Sequence, residues 1–222
     1  MVTLRGLPRR AVGALALVAV ALMCLTWSAP VADPPPEATA APVTFAAVGD
    51  SLTNANSDDF SRLDVGDLSW VRYVSPAVEF VGGWARGGAQ TPDMVVSAQP
   101  VRADVLVVLA GTNDLAHGRS FAAISRDLVA ITRKVGVARV IVVALPPRDS
   151  TPATITEFNR RLAVFVEGRG WTFVDAMEGL RSGELYAAGM SRDGLHPDRA
   201  GAQVMAAALS QAIADVGGTR SG

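Results

Sequence analysis

One cysteine, two histidines and a formal net charge of −1 are what this 222-residue sequence has least of. Cys24 is the single thiol, and it lies in an apolar stretch near the N-terminus. If that stretch is removed on maturation, no disulfide and no thiol chemistry remain, which is compatible with an oxidising compartment where an odd thiol is a liability. A lipid anchor on Cys24 calls for a small residue before it, and Met23 is not small. Near-zero charge without blocks of like sign leaves no field to hold nucleic acid or an anionic membrane. Asn54 to Asp59 is rich in oxygen ligands. It lacks the glycine and the distant glutamate of a calcium loop, so a solvated loop is expected and no metal. Imidazole chemistry has two candidates, His117 and His196.

The N-terminus is the one place with a long apolar run. Arg5, Arg9 and Arg10 precede an uncharged stretch from Ala11 to Trp27, slightly short for a span of ~20 residues and suited to the core of an export signal. Residues 1–32 are therefore expected to be a signal peptide, with Ala29, Ala32 and Ala40 as candidate cleavage points. An uncleaved single-pass anchor is the alternative. Arg9-Arg10 also suggests a twin-arginine signal, but the flanking residues fit it poorly. Residues 33–42, with Pro34-Pro35-Pro36, read as an extended linker. One domain is expected over 43–216, followed by a tail over 217–222.

Within that domain, short apolar runs alternate with helical periods. Val43–Val48, Val78–Val81, Asp104–Ala110, Arg139–Leu145 and Trp171–Val174 read as strands buried on both faces. Phe121, Ile124, Leu128, Ile131 and Val135 recur at helical spacing, between Ser120 as N-cap and Gly136 as stop. Ile155, Phe158, Leu162 and Phe165 do the same after Thr151-Pro152. A last helix is expected from near Asp198 through Val204, Leu209 and Ile213. Strand and helix in alternation predict an α/β fold, a parallel sheet covered on both faces.

Three sharp motifs stand at the ends of these elements. Gly49-Asp50-Ser51 follows the first strand, Gly111-Thr112-Asn113-Asp114 follows the third, and Asp193-Gly194-Leu195-His196 precedes the last helix. Serine, imidazole and carboxylate are the parts of nucleophilic acyl transfer, and an asparagine at a strand end can supply an oxyanion donor. No Gly-x-Ser-x-Gly occurs, which removes the nucleophile elbow of the α/β-hydrolase fold. The set resembles the SGNH hydrolases, also called GDSL-type esterases and lipases, over roughly residues 43–215. That resemblance implies a flavodoxin-like three-layer α/β/α fold with a five-stranded parallel sheet and a lipase-like esterase activity. It also implies a catalytic triad of Ser51, Asp193 and His196. The oxyanion hole would be built from the N–H of Ser51, the N–H of Gly88 and the side-chain amide of Asn113. For the glycine, Gly82, Gly83 and Gly87 compete with Gly88.

Each of these residues has a plainer reading. Ser51 suits a helix N-cap, Asp193 and Asn113 suit turns, and His196 suits a surface position before a proline. An imidazole of ordinary pKa, about 6.5, takes a proton near neutrality, which suits the base role of His196. Asp50 and Asp114 are expected to bond loop N–H groups, and His117 to be a loop or rim residue. Trp70, Trp84 and Trp171 read as core or pocket wall. The expectation is an exported serine hydrolase, secreted or in the cell envelope, that acts without a cofactor on a small-molecule or polymer-linked ester. No nucleic acid is expected, and membrane contact only through an uncleaved N-terminus. An acyltransferase with the same residues and a non-catalytic ligand-binding module on the same fold are the alternatives.

Overall fold

The computed structural model describes residues 41–218. The expected signal peptide, most of the expected linker and the last four residues lie outside the described residues. Five strands form one parallel sheet in the order β2-β1-β3-β4-β5. They are β1 Val43–Gly49, β2 Val78–Ala85, β3 Val105–Leu109, β4 Arg139–Val143 and β5 Thr172–Val174. All five residues of central β3 are apolar and buried, the pattern of a strand covered on both faces.

The parallel strands are joined through crossover connections that carry the helices. The helices are α1 Ser51–Asn54, α2 Thr91–Ser97, α3 Thr112–Ala116, α4 Phe121–Val135, α5 Pro152–Glu167 and α6 Arg199–Gly218. On one face α6 packs with the short turn Trp70–Tyr73, and Trp70 stacks on Phe45 of β1 with ring centroids 5.7 Å apart. On the other, α2 packs against α4, and Phe121 of α4 meets Phe158 of α5 edge-on at 5.6 Å. The result is the three-layer α/β architecture expected.

The periodic helices form where their sequence places them. In α4, Ile124, Leu128, Ile131 and Val135 are buried. Ser120 Oγ accepts the N–H of Ala123 at 3.3 Å, and Gly136 closes the helix with its own N–H on the carbonyl of Thr132. Asp198 opens α6 by accepting the N–H of Gly201 at 2.9 Å.

The second strand differs from expectation. It continues through Gly82 and Gly83 to Ala85, because a register shift between Phe45 and Ala46 leaves Val81 as an extra residue and pairing resumes at Gly82. Gly82 and Gly83 are therefore strand residues, and the loop after β2 begins at Arg86. A two-stranded antiparallel hairpin, β6 Arg181–Ser182 and β7 Leu185–Tyr186, lies between β5 and the Asp193–His196 segment.

Candidate active site

The sheet order reverses direction between β1 and β3, and in open α/β sheets ligands bind beyond the strand ends at such a point. Ser51 follows β1 and Asn113 follows β3, so both stand there. Asp50, not Ser51, is the N-cap of α1: its Oδ1 accepts the N–H of Leu52 at 2.9 Å. Ser51 is the first residue of that helix, and its hydroxyl is free of capping duty.

Ser51 Oγ lies 3.0 Å from Nε2 of His196, and Nδ1 of His196 lies 2.8 Å from Oδ2 of Asp193. The other oxygen of Asp193 accepts the N–H groups of Leu195 at 3.0 Å and His196 at 2.7 Å. Burial pushes the Asp193 carboxyl upward. The hydrogen bonds from the His196 ring, the His196 N–H and the Leu195 N–H together outweigh it and hold the group down at about 2. An ionised carboxylate can only accept, so Nδ1 of His196 carries the proton and the lone pair of Nε2 faces the Ser51 hydroxyl. Ser51 then donates to Nε2.

Three loops are tied together on the other side of Ser51. The amide nitrogen of Asn113 donates to the carbonyl of Ala89 at 3.0 Å and to Oδ2 of Asp50 at 3.3 Å. Ala89 closes a turn on Arg86 in which Gly88 has φ +74°, a left-handed conformation that a glycine adopts without strain. A Cβ at Gly88 would touch nothing within 4 Å, so the backbone angle and not space calls for glycine. Asp50 is wholly buried, and burial raises its carboxyl to about 7, with the Asp114 carboxylate adding to the rise and the Leu52 N–H opposing it.

Asp114, also wholly buried, holds the loops rather than the site. Its carboxylate accepts the N–H of Thr91 at the start of α2 and pairs with Arg119 at 2.9 Å, while Arg119 also bridges to Asp127. His117 is exposed at the end of α3, with Nδ1 2.8 Å from the carbonyl of Asn113. A carbonyl only accepts, so that nitrogen donates and the ring caps its own helix. Trp70 is a core residue whose Nε1 donates to Thr53 Oγ1 at 3.3 Å, Trp84 carries Arg86 over its ring, and Trp171 packs on Phe165. Sequence reasoning missed Asp149, Tyr186 and Ser191, all of which touch the Asp193–His196 segment. They lie in two-residue strands and irregular loops that have no period to detect.

A parallel doubly wound sheet with a serine and an imidazole in hydrogen-bond contact at its switch point is the frame of a serine ester hydrolase. The model of the GDSL-like lipase/acylhydrolase family matches residues 47–204, and the chain belongs to that family. No curated protein sequence matches it. Several solved structures share the fold. An acetylxylan esterase from Geobacillus stearothermophilus, solved as a catalytic mutant, has a TM-score of 0.58 at 18% identity over 77% of this chain and 94% of its own. A carbohydrate esterase family 3 protein from Talaromyces cellulolyticus has a TM-score of 0.59 at 20% identity, over 81% of this chain and 100% of its own. A member of the lipolytic G-D-S-L family from Veillonella parvula scores 0.56 at 20% identity, over 73% and 93%.

Proposed function

We propose that the protein is an exported hydrolase of carboxylic esters that works through an acyl-enzyme on Ser51. The observation that carries this reading is the continuous line from Ser51 through His196 to Asp193, with the proton placed by the carboxylate. Ser51 Oγ attacks the acyl carbon as Nε2 of His196 takes its proton, and Asp193 keeps the ring in that tautomer and faces the imidazolium. The developing oxyanion is received by the N–H of Ser51, the N–H of Gly88 and the amide of Asn113. Nε2–H then protonates the departing alcohol. Water enters, gives its proton to His196, and the acid is released with Ser51 restored.

Two of the structural neighbours are named for esters on carbohydrate, so acetylated polysaccharide belongs in the substrate panel beside p-nitrophenyl esters from acetate to palmitate. Export rests on the basic start and apolar run of residues 1–32. Ser51→Ala should lose about 10⁴- to 10⁶-fold in kcat on every ester of the panel while its circular dichroism stays native. Undiminished turnover by Ser51→Ala would remove the assignment.

A further inference from the structure

The Asp193–His196 segment is held from outside by the loop after β4 and by the β6–β7 hairpin, neither of which carries a catalytic group. Within itself it is closed by Ser191, whose hydroxyl donates to the carbonyl of His196 at 2.8 Å and accepts the N–H groups of Gly194 at 2.9 Å and Asp193 at 3.3 Å. Those bonds fix the shape of the segment but not its place relative to Ser51, which lies 145 residues earlier in the chain.

Two further hydrogen bonds tie it to other elements. The backbone N–H of Asp149, in the loop after β4, donates to the carbonyl of Gly194 at 2.9 Å. The hydroxyl of Tyr186, on β7, donates to the carbonyl of Leu195 at 3.0 Å. The two anchors are joined to each other, because Oδ1 of Asp149 accepts the N–H of Tyr186 at 2.9 Å. A ring of contacts results, running Asp149, Gly194, Leu195, Tyr186 and back to Asp149. Gly194 fits into it on two counts. Its φ is +72°, and a Cβ there would stand 2.8 Å from Oδ2 of Asp149. Burial, with the Asp193 and Asp149 carboxylates adding to it, pushes the Tyr186 phenol well above its ordinary range, so it remains a donor.

From this geometry we infer that Tyr186 and Asp149 are positioning residues for ester hydrolysis, a clasp that sets the height of Asp193 and His196 over Ser51. The hairpin β6–β7 presents Tyr186 to that segment. The inference rests on Ser51, His196 and Asp193 being the triad. The clasp acts only through them: it touches two carbonyls between Asp193 and His196 and none of the reacting atoms. An imidazole displaced by about 1 Å loses its in-line approach to the serine hydroxyl, and displacements of that size cost about 100-fold in rate.

The test uses the whole chain, p-nitrophenyl acetate and five variants, with Ser51→Ala beside them. Tyr186→Phe keeps the ring and removes only the donor. It should lower kcat about 10- to 100-fold with KM unchanged, and the melting temperature should fall by no more than about 5 °C. Asp149→Ala, which removes the acceptor for the Tyr186 N–H, should show the same split. Asp149→Asn, which keeps an acceptor there, should stay near wild type. In an Asp193→Asn background, Tyr186→Phe should add little, because the group it positions no longer works. Wild-type kcat in both Tyr186→Phe and Asp149→Ala, or a loss expressed in KM, or an equal loss in the Asp193→Asn background, overturns the clasp. An active Ser51→Ala overturns the triad itself, so the two failures are told apart.

Discussion

Asn113 carries two hydrogens on its amide nitrogen, and both have acceptors in the unliganded site, Ala89 at 3.0 Å and Asp50 at 3.3 Å. An oxyanion can therefore be received only if one bond is shared or released, and the longer one to Asp50 is the weaker hold. If the amide is the proposed oxyanion donor, Asn113→Ala should lower kcat about 10²- to 10³-fold with little change in KM, because such a donor acts on charge formed in the transition state. A rise in KM with kcat intact would make Asn113 a substrate contact instead. Asp50 couples this amide to stability. Its carboxyl is raised by burial from the ordinary 3.8 to about 7, so the protonated form is the one the fold prefers. Its contribution is fully present below about pH 4 and is lost as pH rises through about 7. Asp50→Asn keeps an acceptor for Leu52 but turns its amide donor toward the donor of Asn113. The melting-temperature difference between Asp50→Asn and wild type should open in the variant's favour from pH 4 to pH 7, while its kcat falls. A difference that does not change with pH would mean that Asp50 does not titrate in this range.

At the scale of elements, the short helices α2 and α3 are joined through Asp114, which takes the N–H of Thr91 and the guanidinium of Arg119 in a buried position. Removing one partner of such a pair strands the other. Asp114→Ala should cost about 3 kcal/mol, read by urea unfolding, and should weaken activity through the loop that carries Gly88. A cost near zero would assign that loop's order to Asp127 alone. Which elements are legible in the sequence follows from the same physics. α4 is readable because its apolar residues repeat over four turns between an unambiguous cap and an unambiguous glycine stop. α2, α3 and the β6–β7 hairpin are too short to show a period. The second half of β2 hides behind Gly82-Gly83, which read as a loop although the bulge at Val81 carries the pairing on to Ala85. Asp50 and Ser51 are both good N-caps, so adjacency alone cannot say which one caps. The fold assigns the cap to Asp50, and that leaves the hydroxyl of Ser51 to His196.

For the whole molecule, the sheet order β2-β1-β3-β4-β5 is what turns distant motifs into neighbours. Ser51 and Asn113 were findable because each follows an apolar run, and His196 because it is one of two histidines. Asp149, Tyr186 and Ser191, which bond the Asp193–His196 segment, carry no such mark, since a hydrogen bond to a carbonyl in a loop leaves no pattern in composition or spacing. The boundary of the catalytic unit can be tested directly. β1 begins at Val43, and Phe45 within it is wholly buried against Trp70 and Phe80. A chain beginning at Pro42 should fold and hydrolyse esters, whereas one beginning after Phe45 should not fold. If the first is insoluble, residues before 42 belong to the domain and not to a linker. The export reading predicts a mature protein outside the cytoplasm whose N-terminus, read by Edman degradation, falls between Ala29 and Val43. An intact Met1 in the membrane fraction would favour the anchor.

Covalent labelling with a fluorophosphonate, followed by peptide mapping, reads out whether Ser51 is a nucleophile activated by His196. One adduct per chain is expected on the peptide containing Ser51, with no adduct in Ser51→Ala and labelling slowed severely in His196→Ala but not in His117→Ala. An adduct on another residue, or a His196→Ala protein labelled as fast as wild type, would contradict that role for Ser51.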